Sequence, residues 1–129
     1  MAEVLRVTDL SIFAAMQKAS EEWAKATGPW MEAMTPTMPA DVLEAFFGKG
    51  ISPDGLDAKT RLLLSLGALT VLGSKAEPQI KITVRNALAA GATHQEIAET
   101  IAQMSVFGGV PAMTKAMELA RAVMDEETS

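Results

Sequence analysis

Asp57-Ala58-Lys59-Thr60-Arg61-Leu62-Leu63-Leu64-Ser65-Leu66-Gly67-Ala68-Leu69-Thr70-Val71-Leu72-Gly73 is the stretch whose reading decides the fold. Asp57 sits where a carboxylate favours the positive end of a helix dipole, and Gly73 is a natural stop. Beyond Arg61 the residues are apolar almost all round, with no charged face to turn toward water. A helix of that kind must be surrounded by protein. In a chain of 129 residues, neighbouring copies of the same chain are the expected source of part of that cover.

Outward from this rod the helix signals continue and strand signals are nearly absent. A helix is predicted from about Glu77 to Ala90, with Pro78 tolerated in its first turn and Gly91 closing it. Thr93-His94-Gln95-Glu96 reads as a capping box, in which hydroxyl and carboxylate reciprocally satisfy orphan amides. The helix it opens carries Ile97, Ile101, Met104 and Phe107 and is expected to end at Gly108-Gly109. Pro111 then opens a last helix to about Asp125, with 126–129 as a frayed tail.

Toward the N-terminus, Thr8 or Asp9 can cap a helix bearing Leu10, Phe13, Met16, Ala19 and Trp23, stopped at Gly28-Pro29. Trp30 to Pro39 is rich in Met and Pro, a short helix follows to about Phe47, and Ser52-Pro53-Asp54-Gly55 is a turn by composition. Trp23, Trp30, Phe46 and Phe47, with Met31, Met34 and Met38, make this half aromatic and Met-rich, suited to roofing a pocket or packing on a partner subunit. The whole reads as one all-α domain over 1–129, without a linker or long repeat.

Composition excludes several classes. A net charge of −5 with scattered basic residues does not suit a nucleic-acid backbone. The uncharged run from Leu62 to Ser74 is shorter than the roughly 20 residues that cross a bilayer. The N-terminal residues lack the pattern of a signal peptide, so a cytoplasmic location is expected. With one His and no Cys, no metal site and no cofactor are expected.

Three pieces carry a family resemblance: Gly55-Leu56-Asp57-Ala58-Lys59-Thr60-Arg61; Val84-Arg85-Asn86-Ala87-Leu88-Ala89-Ala90-Gly91-Ala92-Thr93 with Glu96-Ile97; and Gln103-Met104-Ser105-Val106-Phe107-Gly108-Gly109-Val110-Pro111-Ala112. In order and spacing the core 55–121 resembles the carboxymuconolactone decarboxylase family, with divergent helices over 8–48. The resemblance implies an alkylhydroperoxidase D-like bundle of about six to seven helices, assembled as a homotrimer or homohexamer. It also implies either thiol peroxidase chemistry or decarboxylation of a small lactone acid.

The peroxidase branch needs a nucleophilic and a resolving thiol, and the chain has no cysteine. That activity is excluded. The decarboxylase branch keeps Glu and His where this sequence has Gln79 and Thr83, and an acid of the preceding helix is replaced by Leu62. Gln79 and Thr83 donate hydrogen bonds but do not shuttle protons, which leaves Glu77 as a displaced acid. Glu77, Lys81 and Arg85 fall on one helical stripe, readable as salt bridges or as an acid beside a carboxylate-binding pair. Gln79, Thr83 and Asn86 share a neighbouring stripe, lining a cavity or bonding to another helix.

His94 follows the N-cap and reads as a surface residue, and Gly108-Gly109 as a tight turn. The functional expectation is a cofactor-free, decarboxylase-like lyase for a small organic acid or lactone. Glu77 would be catalytic, and Gln79, Thr83, Lys81 and Arg85 would bind substrate. The alternative is a catalytically silent oligomeric binding or scaffold protein of the same fold.

Overall fold

A computed structural model of the chain describes residues 10–128. It contains seven α-helices: α1 (Leu10–Met34), α2 (Ala40–Phe47), α3 (Ala58–Leu72), α4 (Glu77–Ala89), α5 (His94–Gln103), α6 (Ser105–Gly108) and α7 (Val110–Thr128). A 3₁₀ turn over Gly73–Ala76 joins α3 to α4. No strand occurs among the described residues. The fold is all-α, as the sequence reads.

Local chemistry sets most of the boundaries. The Asp57 carboxylate accepts from Thr60 N at 2.8 Å and caps α3, while Gly73, at φ 71°, takes the left-handed conformation that ends it. Glu44 reinforces that start: its carboxylate accepts from Ala58 N at 3.1 Å and Lys49 N at 2.8 Å, stitching α2 to α3. The capping box of α5 is complete, with Glu96 N donating to Thr93 Oγ1 at 3.0 Å and Thr93 N donating to Glu96 Oε1 at 2.9 Å.

Helical periodicity builds the core. Ile80, Val84 and Ala87 on α4, Ile97 and Ile101 on α5, and Ala116, Leu119, Ala120 and Val123 on α7 recur at three- and four-residue steps and meet Leu66 of α3. The α3–α4 pair forms the spine, with α5 and α7 packed on it. Buried Thr70 is satisfied within its own helix, donating to the Leu66 carbonyl at 2.8 Å.

Three sequence expectations need correcting. Gly28-Pro29 does not stop the first helix, which runs on to Met34 with Pro29 inside it. Gly28 is a crossing point: a Cβ there would lie 2.8 Å from Cγ of Pro78, so α1 and α4 approach more closely than any other residue allows. The cap at Thr8 or Asp9 lies outside the described residues.

The helix expected to carry Met104 and Phe107 breaks at Met104, and Phe107 lies exposed on the separate turn α6. The last helix runs to Thr128, three residues past the expected end at Asp125. The apolar rod is enclosed only in part by its own chain, which is no departure from the sequence reading. Leu66 is buried, but Leu64 (62 % exposed), Ala68, Val71 and Leu72 face outward.

Candidate functional site

The candidate residues all sit on α4, which is held from three sides by α3, α7 and α1. Because they project from a helix of 3.6 residues per turn, they separate into three environments.

Glu77, in the first turn, is half-exposed, with its side chain 45 % accessible. Its Oε2 lies 3.8 Å from Lys115 Nζ of α7. Its carboxylate is thus in contact with water and paired to a surface lysine.

Lys81 and Arg85, one and two turns further on, converge on a residue the sequence reading did not single out. Glu32 of α1 places Oε1 3.2 Å from Arg85 Nη2 and 3.8 Å from Lys81 Nζ. Arg85 Nη2 also donates to both carboxylate oxygens of Glu126 at 3.3 Å. Partial burial works to lower the Arg85 pKa, but hydrogen bonds and attraction from Glu126 and Glu32 outweigh it and raise the pKa above its ordinary value. This guanidinium is a permanent cation already gripped by two carboxylates.

Gln79 and Thr83 lie on another face of the helix, and both are half-buried. Among the described residues, Gln79 Oε1 is the buried side-chain oxygen without a hydrogen-bond partner. Asn86, on the same stripe, is buried, and its Oδ1 accepts from Met38 N at 3.1 Å. That bond fixes the segment after α1, so Asn86 bonds to another part of the chain. His94 lies at the surface with Nε2 2.9 Å from Glu127 Oε2.

Two shallow concavities share Arg85 and Thr37 as a common ridge. One, of about 460 Å³, is walled by Pro29, Glu32, Thr35 and Pro36. The other, of about 320 Å³, is walled by Leu88, Val123 and Glu126. Neither Gln79 nor Thr83 lines them. The structure thus joins Lys81 and Arg85 through Glu32, and sets Glu77 and Gln79 apart.

Glu32 was not legible as a partner because 53 residues separate it from Arg85. The one clue is that it stands a single turn beyond Gly28, on the side of α1 that meets α4.

The helical bundle has a family counterpart. The family model described as the carboxymuconolactone decarboxylase family matches residues 39–122, well over half the sequence, and the chain belongs to that family. The match begins at Pro39, ahead of the 55–121 core, and so takes in α2 but not α1. A relative in Paracoccus denitrificans, described as an uncharacterized 15.0 kDa protein in the nqo9-nqo10 intergenic region, is 56 % identical over 124 residues. The alignment covers 90 % of this chain and 92 % of the relative. Among the described residues, no helix is long and apolar enough to cross a membrane.

Proposed function

We propose that this chain is a homo-oligomeric, small-molecule-binding member of the family that does not shuttle the proton a decarboxylation requires. The observation that carries this reading is Glu32, which lies against both Lys81 and Arg85. The two cations that would hold a substrate carboxylate already hold one from α1. Glu77 is half-exposed, paired with Lys115 and outside both concavities at Arg85, and the chain has no cysteine.

The binding site in this reading is the ridge at Arg85 and the concavity beside Glu32, whose volume is in the range that admits a small ligand. Glu32 and Glu126 set two negative charges around the guanidinium, so a third carboxylate is repelled. A neutral lactone or similar carbonyl compound suits the site better than a free acid.

Assembly is supported by the outward face of α3 (Leu64, Val71, Leu72), continued by exposed Val106 and Phe107 of α6 and Val110 of α7. Gly108 of α6 packs on Val71, which makes the patch continuous. A patch of this kind on a small domain marks an interaction site.

The test pairs two measurements on the purified chain. Thermal shift with small lactones and their ring-opened acids is expected to favour the lactones, and CO₂ release from lactone acids is expected to stay at the buffer rate. Turnover that disappears in Glu77→Gln would overturn the reading. Such turnover would favour a second one, a cofactor-free decarboxylase-like lyase with Glu77 as proton donor and Gln79, Thr83, Lys81 and Arg85 around the substrate. Gln79 Oε1 is the observation on its side, since a buried oxygen without a partner leaves room for a ligand's donor.

A further inference from the structure

Helix α1 is 25 residues long, yet residues 11–20 are exposed throughout, and the helix is tied to the body of the domain chiefly at α4. Ten exposed residues of helix are marginal in water on their own, which favours a cover along their apolar side.

The pattern of side chains says what. Phe13, Met16, Ser20, Trp23, Thr27, Trp30 and Met34 recur at alternating steps of three and four, the a and d positions of an unbroken heptad pattern. Phe13, Met16, Trp23, Trp30 and Met34 are each 48–66 % exposed. At about 100° per residue, the seven positions occupy one arc of roughly 100°. The charged residues of α1 (Lys18, Glu21, Glu22, Lys25 and Glu32) occupy the arc opposite.

An anionic membrane surface does not fit, because the polar arc carries three Glu against two Lys instead of a Lys/Arg-rich face. A seam that keeps the 3.5-residue period along its whole length fits another helix of similar length. The five large side chains leave on the order of 600 Å² of apolar surface per copy, against roughly 800 Å² per partner in a standard interface.

Side-chain size then selects the partner and its direction. Along the seam Ser20, Trp23, Thr27 and Trp30 alternate small and large. Thr27 is small, and its hydroxyl is taken up within its own helix by donating back to the Trp23 carbonyl at 2.7 Å. A parallel copy would stack Trp on Trp and small on small, overpacked and then void. An antiparallel copy sets Trp23 over the partner's Thr27 and Trp30 over the partner's Ser20, with Met16 beside the partner's Met34.

We infer that α1 pairs antiparallel with α1 of a second copy of this chain, in an isologous interface separate from the α3–α6 face. The exposed first half of one helix lies along the second half of the other.

The test uses the full chain. Met16 and Ser20 are exposed, so Met16→Glu/Ser20→Glu leaves the fold intact and both tryptophans in place. Sedimentation equilibrium is expected to show the mass of this variant at half the wild-type value, with Trp emission shifted to the red. An unchanged mass, or a monomeric wild type, overturns the inference. Leu64→Glu separates the two interfaces, since it disrupts only the α3–α6 face and leaves the α1 pair as a dimer.

Direction is read by introduced thiols, which the cysteine-free chain makes unambiguous. Ser20→Cys/Trp30→Cys is expected to form interchain disulfides on oxidation, and Ser20→Cys alone is not. Interchain disulfides in Ser20→Cys alone would mean parallel helices and would overturn the arrangement.

Discussion

Gly28 of α1 and Pro78 of α4 touch so closely that a Cβ on residue 28 would come within 2.8 Å of the proline ring. This contact seats α1 on the first turn of the helix that carries the candidate residues. In an unconstrained helix Gly→Ala stabilises by about 1 kcal/mol. Here the added methyl meets a rigid ring, and overpacking of this kind costs about 1–3 kcal/mol. Gly28→Ala is therefore expected to lower the midpoint of chemical unfolding, and Pro78→Ala in the same chain to restore it. A more stable single variant would show that the contact relaxes freely.

Glu32 bridges Lys81 and Arg85 at sites about a quarter exposed, where solvent screens part of the attraction. Glu32→Gln is expected to destabilise the chain by about 1 kcal/mol, an effect that shrinks in high salt. It should also let small carboxylic acids raise the melting temperature, because two cations lose their internal counter-ion. Wild-type chain responding equally to those acids would remove Glu32 from the site.

Asn86 joins α4 to the segment after α1 by accepting from Met38 N. Asn86→Leu leaves that amide without its acceptor beside a buried position, which costs about 1–3 kcal/mol. Hydrogen exchange at Met38 is expected to accelerate in this variant while exchange at Ile97 and Ile101 stays slow. Unchanged exchange at Met38 would mean that the bond does not fix the segment.

Two carboxylates tie stability to pH. Hydrogen bonds from Thr60 hold Asp57 below its ordinary 3.8, with Lys59 and Lys49 adding attraction. The Thr93 amide and then Lys59 hold Glu96 below its ordinary 4.5. Carboxylates depressed in the folded chain stabilise it above their unfolded values and lose that contribution as pH falls through the folded ones. Melting temperature is expected to be level above about pH 5 and to drop below pH 4. Glu96→Gln, which keeps an acceptor in the capping box, should flatten part of that drop. An equal drop in the variant would exclude Glu96 as its source.

Where a boundary is set by neighbours in sequence, the sequence was a good guide. Asp57, Gly73 and the Thr93–Glu96 box act within four residues of themselves; α3 and α4 begin and end, and α5 begins, close to where they point. Gly28-Pro29 misled because the reason for the glycine lies 50 residues away on Pro78. The break at Met104 carries no breaker residue. Its sulfur sits over Gly67, 3.2 Å from where a Cβ would be, and that too is a tertiary relationship. The stripe of Glu77, Lys81 and Arg85 was visible as a pattern, but its meaning depended on Lys115, Glu32 and Glu126, which no local spacing reveals.

The leucine-rich α3 leaves Leu64 and Leu72 more than half exposed, a surface that a solitary domain of this size would not keep. Sedimentation equilibrium of the full chain over a wide concentration range tests this most directly. The expected result is a stable multiple of 13.7 kDa that Leu64→Glu reduces. A wild-type mass of 13.7 kDa at every concentration would contradict it.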